Sequence, residues 1–213
     1  MKNDDISGYR WHSASLTPSH EYLLPALIGQ LNKNFEENRV SKCRRVFELG
    51  CGNGSVANIL VQQGWSVTGV DPSLEGIAHA NKIYPNLNLY QGSAYDDLVS
   101  RFGQFPVVTS LEVVEHVYFP RRYAATLFSL LESGGCAIVS TPYHGYLKNL
   151  LIALTGKMDA HFTALWDHGH IKFWSMKTLS ELLREAGFVD IHFERVGRIP
   201  VLAKSMIAIA RKP

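Results

Sequence analysis

The stretch Phe47-Glu48-Leu49-Gly50-Cys51-Gly52-Asn53-Gly54 places an acid two residues ahead of three glycines at alternating positions. Glycine at that density marks backbone that passes close to a ligand. Most Gly-rich turns between a strand and a helix hold phosphate. The dinucleotide pattern G-x-G-x-x-G/A fails here, because its third position counted from Gly50 is Ser55. An ionised Glu48 would also repel phosphate and favour a cation.

A second acid, Asp71, closes the next apolar run, WSVTGVD. An acid at that point of an α/β sheet accepts hydrogen bonds from ribose hydroxyls. A ligand with a ribose and a positive charge but no phosphate suits both acids. S-adenosylmethionine, with its ammonium and sulfonium, is such a molecule. Taken singly, Glu48 reads as a loop acid and Asp71 as a cap for the helix that starts near Ser73. Combined with three glycines at this spacing, they argue for a cofactor site.

Glu112, Glu115 and His116 follow a later apolar run. In a helical turn these positions share a face. Two carboxylates and an imidazole so placed could bind Mg²⁺ or Mn²⁺ in preference to structural Zn²⁺, with His170 as a further ligand. A metal lowers the pKa of a hydroxyl and fixes its oxygen in line for group transfer. The same residues also fit helix-start acids complementing a dipole, with His116 or His170 as a plain general base. Between residues 142 and 172 lie His144, His161, His168 and His170, with Tyr143, Tyr146, Trp166, Phe173 and Trp174 among or beside them. They suggest an aromatic pocket with one or two acid/base groups, or the small core of a lid. A zinc site from Asp167, His168 and His170 lacks a second pair at ligand spacing. The amphipathic run YLKNLLIALTG (146–156) is expected to cover the active site rather than meet a membrane. Cys51 reads as a small residue filling the glycine loop.

The elements that must position these groups alternate. Residues 19–38 read as a helix interrupted or kinked near Pro25. Strands are expected at 45–49, 65–70, 86–90, 106–111, 136–141, 189–196 and 205–212, with helices at 55–64, 73–83, 120–133 and 176–188. This argues for βαβ units, hence a doubly wound, mostly parallel seven-stranded sheet with helices on both faces. The last two strands lack a helix between them, so the last strand is expected antiparallel. Residues 142–172 fit neither pattern and are expected to form an irregular lid. Residues 1–39 are expected to form an N-terminal helical segment over the cofactor site, and 40–213 the main domain.

The composition is 46% apolar and 19% charged, which supports a packed core and excludes disorder. A net charge of +2 is too small for an extensive nucleic-acid surface. No apolar run is long enough to span a membrane, and the N-terminus lacks the apolar core of a signal peptide. Three cysteines without a close pair, Cys43, Cys51 and Cys136, point to a reducing cytoplasm.

FELGCGNG and VTGVDPS together resemble the cofactor motifs of class I S-adenosylmethionine-dependent methyltransferases, over roughly residues 40 to 212. Within that class, SLEVVEHV (110–117) and HIKFWSMKTLSELLREAGF (170–188) are similar to the ubiquinone-biosynthesis O-methyltransferase-like branch. The resemblance implies a Rossmann-like fold and a small-molecule acceptor. It implies cofactor contacts from Glu48, Gly50, Gly52, Gly54, Asp71 and Pro72, and from Ser93, Ala94 and Leu111 in QGSAYDDL and SLEVVEHV. Relatives commonly carry an acid where Ser93 stands. Catalysis is implied at His116, Glu115 and His170, with Glu112, Glu115, His116 and His170 as metal ligands acting on vicinal hydroxyls. Segments before the first helix often fold over the cofactor, which makes Trp11 and His12 candidates. The rivals are a metal-independent N- or C-methyltransferase, a cofactor-binding protein without catalysis, and an NAD(P)-linked oxidoreductase. Ser55 and Glu48 oppose the last.

Overall fold

The computed structural model describes residues 13–36, 43–167 and 169–213. Trp11, His12 and His168 lie outside the described residues. The elements are α1 (His20–Glu36), β1 (Arg45–Leu49), α2 (Ser55–Gln62), β2 (Ser66–Asp71), α3 (Leu74–Ile83), β3 (Asn88–Gln91), α4 (Leu98–Phe102) and β4 (Phe105–Leu111). They continue with α5 (Pro120–Ser129), β5 (Leu131–Pro142), α6 (Tyr146–Leu154), α7 (Met158–Phe162), α8 (Met176–Glu185), β6 (Val189–Val196) and β7 (Ser205–Arg211), with a 3₁₀ turn at Pro200–Leu202 between the last two.

The seven strands form one sheet in the order β3-β2-β1-β4-β5-β7-β6. The pairs β1–β2, β1–β4, β2–β3 and β4–β5 are parallel. β7 runs antiparallel to both β5 and β6. Strand order therefore reverses between β1 and β4, and a ligand crevice is expected at the carboxyl ends of those two strands. Every residue of β4 is buried, as a central parallel strand covered on both faces requires.

Two cores follow from the period-2 alternation. Phe47 and Leu49 of β1 face Tyr123, Leu127, Leu179 and Leu183 on one side. Val46 faces Leu23, Leu27, Leu31 and Leu60 of α1 and α2 on the other. Truncating one of these leucines to Ala costs about 2–5 kcal/mol. Local signals set the helix ends. The Ser73 hydroxyl accepts from Gly76 N to start α3, and Ser175 and Thr178 form a capping box on α8.

Several expected elements shift. α1 runs through Pro25 as one helix, because Leu23, Leu24, Leu27 and Leu31 bury a continuous stripe. α5 ends at Ser129 and β5 begins at Leu131, where Leu131 pairs with Phe105 before the register shifts at Cys136. α4 had no sequence counterpart; Asp97 caps it through Ser100 N. The stretch 142–172 is not irregular throughout, since it carries α6 and α7.

Candidate active site

The glycine loop begins where β1 ends. Gly50 N and Cys51 N both donate to Val70 O, at 2.8 and 3.0 Å, which locks the loop to β2. Gly52 N donates to Asp71 Oδ2 at 2.9 Å, and Asp71 Oδ1 accepts from Ser73 N at 2.8 Å. Asp71 thus fixes the turn that leads into α3 and also braces the loop. Gly50 and Gly52 have φ of 89° and 51°, conformations that a β-carbon penalises.

A cavity of about 690 Å³ opens above this loop. Glu48, Gly50, Gly52, Asp71 and Pro72 line it, and so do Ser93, Ala94 and Leu111. Gly54 does not line it. A β-carbon on Gly54 would sit 2.7 Å from Leu89 Cδ1 and 3.0 Å from Ala80 Cβ, so this glycine serves the packing of α2 against α3 and β3.

Sequence reasoning missed the role of Asn53. Its Nδ2 donates to Ser13 O at 2.8 Å and Ser15 O at 2.9 Å, and Tyr84 donates to Ala14 O at 3.0 Å. These bonds hold residues 13–15 beside the loop, and Thr17, Ser19 and His20 complete that wall of the cavity. An amide inside a glycine loop is the signal that could have suggested such a clamp.

Glu48 fits a cationic ligand. It is 2% exposed, and its Oε2 has no hydrogen-bond partner among the described residues. Burial first, then the nearby Asp71 charge, pushes its pKa up to about 8. A ligand ammonium beside it would supply the missing donor and offset the cost of ionisation. Cys51 faces the same field. Burial, then Asp71 and Glu48, holds its thiol well above the ordinary range, so it is no nucleophile.

The other side of the cavity mouth is built from a turn and a long-range strap. Residues after β4 form a turn closed by His116 N donating to Val113 O at 2.9 Å, not the first turn of a helix. Ile171 N and Lys172 N both donate to Glu115 O at 3.0 Å. Trp174 Nε1 donates to Val114 O at 3.0 Å. This strap brings His170 to the turn: its Nε2 lies 4.0 Å from Glu115 Oε1. Donor atoms of Glu115, His116 and His170 all lie within 4.8 Å of one another. His116 Nδ1 is 3.2 Å from Gly169 O. A carbonyl only accepts, so Nδ1 carries the proton and the lone pair sits on Nε2.

Glu115 is 1% exposed. Neither carboxylate oxygen reaches a hydrogen-bond donor in good geometry among the described residues, although the Thr141 hydroxyl lies close enough to favour the ionised form. Burial, then Glu112, raises its pKa well above the carboxylate range. His170 is pushed down to about 4 by burial, then by His116, His144 and His161.

Glu112 does not join this group. Ser140 Oγ donates to its Oε1 at 2.8 Å, and Ser205 Oγ to its Oε2 at 3.3 Å. Its φ of 53° is left-handed, which turns its side chain away from the helical i, i+3 relation to Glu115. Burial raises its pKa to about 7 against the opposing pull of the two serines and Lys148. His144 stacks on Phe162 with ring centres 5.9 Å apart and meets Phe173 edge-on at 5.1 Å. It belongs to the small core of the 142–172 segment.

A methyltransferase domain family model matches residues 19–192. The chain belongs to that methyltransferase family. A ubiquinone biosynthesis O-methyltransferase of Psychrobacter arcticus is 30% identical, over 96% of this chain and 88% of that protein. One of the same description from Roseobacter denitrificans is 28% identical, over 78% of this chain and 68% of that protein. The solved SAM-dependent methyltransferase of Archaeoglobus fulgidus shares the fold, with a TM-score of 0.62 at 16% identity over 88% of this chain and 94% of that one.

The protein is an S-adenosylmethionine-dependent methyltransferase of Rossmann-like fold. The crevice lies at the β1/β4 switch point, where open α/β sheets of this kind bind ligands. Glu48 lines it, and Asp71 stands at the end of β2, where ribose-binding acids of such sheets stand. No helix among the described residues is long and apolar enough to cross a membrane.

Proposed function

We propose that this methyltransferase transfers a methyl group to a hydroxyl of a small molecule, assisted by Mg²⁺ or Mn²⁺ held at Glu115, His116 and His170. The observation that carries this reading is the Glu115–His116–His170 group itself. A buried carboxylate whose oxygens lack donors of good geometry stands beside two imidazoles, a set that suits a divalent cation such as Mn²⁺ better than Mg²⁺, which prefers oxygen ligands. His116 and Val113 also line the cofactor cavity, so the group adjoins the methyl-transfer site. The relatives' names, O-methyltransferases, favour oxygen as the acceptor atom.

When bound, S-adenosylmethionine supplies an electrophilic methyl group, and the metal lowers the pKa of the acceptor hydroxyl. This chain's residues orient and deprotonate. Glu48 fixes the ligand's cationic end, and Asp71 accepts from its ribose. Glu115 and His170 position the acceptor oxygen. His116 offers a single lone pair, on Nε2, which would hold the metal; where no metal is bound, that lone pair takes the hydroxyl proton. Such a proton transfer contributes about 10²–10⁴-fold in rate. Glu112, the other candidate ligand, is engaged by Ser140 and Ser205 and ties the ends of β4, β5 and β7 together.

The test is turnover with a catechol-type acceptor before and after chelation. Activity should fall with chelator and return with Mg²⁺ or Mn²⁺. Glu115→Gln should lose activity while S-adenosylmethionine affinity stays within about twofold. Full activity in excess chelator, with Glu115→Gln unaffected, would remove the metal and leave His116 as a metal-independent base.

A further inference from the structure

Residues 142–172 divide in two. α6 buries none of its side chains and contributes none of the residues that line the cavity, so this amphipathic run does not cover the active site as expected. The segment after α7 does reach it. Trp166 meets the His116 ring edge-on with centres 5.7 Å apart and the His170 ring at 5.3 Å, and those two imidazoles are 4.9 Å apart. Three ring centres at nearly equal spacing set the indole against both imidazoles of the candidate metal group.

The backbone holds the indole there. Trp166 N donates to Thr163 O at 2.9 Å, and Gly169 N donates to Trp166 O at 3.0 Å. A β-carbon on Gly169 would stand 2.9 Å from indole Cδ2 and Cε3, so glycine is what lets the ring close in this far. Trp166 is still 37% exposed. Part of the ring covers the imidazoles and the rest is open. The apolar rings of the segment pack elsewhere, Phe162 and Phe173 on His144 and on each other. On the cavity side, Tyr118 and Ile171 line the wall beside His116 and are exposed. A group of oxygen-binding donors is thus flanked by flat and apolar surface. That suits a ligand whose hydroxyls sit on a flat apolar body.

We propose that Trp166 is a specificity-determining residue for the acceptor, its indole packing on the planar ring of an aromatic diol whose oxygens face Glu115, His116 and His170. The inference rests on the reading above that the acceptor hydroxyl lies at this group. Trp166 selects the body of the acceptor and leaves the hydroxyl chemistry to the residues beside it.

The experiment is titration calorimetry on the full chain, with Mn²⁺ and the demethylated cofactor present. Catechol is compared with cis-1,2-cyclohexanediol, which has the same adjacent oxygens and no flat ring. Wild type should bind catechol more tightly. Trp166→Leu keeps an apolar side chain without the ring. It should weaken catechol binding by about three- to tenfold and leave the saturated diol within about twofold, and Trp166→Phe should restore most of the loss. Mn²⁺ and S-adenosylmethionine affinities should stay within about twofold in both variants, which shows a folded site. Wild type that binds catechol no better than the saturated diol, or a leucine variant that binds both like wild type, would overturn the proposal. So would loss of Mn²⁺ affinity in the leucine variant, which would make the indole a support for the imidazoles. Glu115→Gln separates the two readings. Catechol affinity that falls in Glu115→Gln but not in Trp166→Leu removes the indole platform alone, whereas a fall in Trp166→Leu but not in Glu115→Gln keeps the platform and removes the oxygen site.

Discussion

Glu48→Gln tests whether the buried acid is a cost in the free protein that the cofactor relieves. Burial and Asp71 lift the Glu48 carboxyl from its ordinary 4.5 to about 8. A carboxyl whose folded pKa is raised stabilises the fold fully below the unfolded value, and that contribution is lost as pH rises through the folded one. At about 1.4 kcal/mol per unit, the wild type should lose about 3 kcal/mol by pH 7 from this group and little more beyond pH 8. A glutamine has no such proton to lose. Urea unfolding of both proteins from pH 5 to 8 should give a difference, variant minus wild type, that grows by about 2–4 kcal/mol in favour of the variant. Glu112 and Glu115 titrate in both proteins and largely cancel in that difference. The cofactor should reverse the balance. Its ammonium stabilises the ionised carboxylate, so wild type should release close to one proton on binding near pH 7, measured by calorimetry in buffers of different ionisation enthalpy. Glu48→Gln should release none from this group and bind more weakly. A stability difference that stays flat from pH 5 to 8, together with binding that releases no proton, would refute the reasoning.

Asp71→Ala should weaken S-adenosylmethionine binding by about 1.5–3 kcal/mol, the range for hydrogen bonds to a charged group, in titration calorimetry; unchanged affinity would remove the ribose assignment. Gly54→Ala should instead act on stability. Its φ of 76° and the 2.7 Å approach to Leu89 predict a loss of about 1–3 kcal/mol in urea unfolding, with affinity of the folded fraction nearly unchanged. Gly52→Val should abolish cofactor binding in a protein that circular dichroism shows to be folded, because φ at this position is 51° and a branched side chain would stand in the cavity.

The order of the strands, the mostly parallel sheet with its antiparallel last strand, and a glycine loop at the crevice were legible in the residues. Each depends on short-range physics. Glycine permits positive φ at Gly50 and Gly52, alternating or continuous apolar runs mark strands, and an acid at a strand end occupies a position that topology places at the crevice. Boundaries were less legible where packing overrides local preference. The Leu23–Leu31 stripe carries α1 past Pro25, and pairing with Phe105 begins β5 at Leu131.

The use made of those residues depended on distant contacts. Glu112, Glu115 and His116 share a face only in a helix, and the left-handed backbone at Glu112 diverts its carboxylate to Ser140 and Ser205. His170 reaches Glu115 because Ile171, Lys172 and Trp174 bond to the turn from more than fifty residues away along the chain. Gly54 looked like a third ligand-facing glycine, but Leu89 and Ala80 make it a packing glycine. The apolar run of α6 was plain from the residues, yet only the fold decided that it faces outward. Local sequence sets which conformations a backbone permits, whereas the neighbours of a side chain are set by chain closure over long loops, and it is those neighbours that decide what a carboxylate, an imidazole or a leucine does.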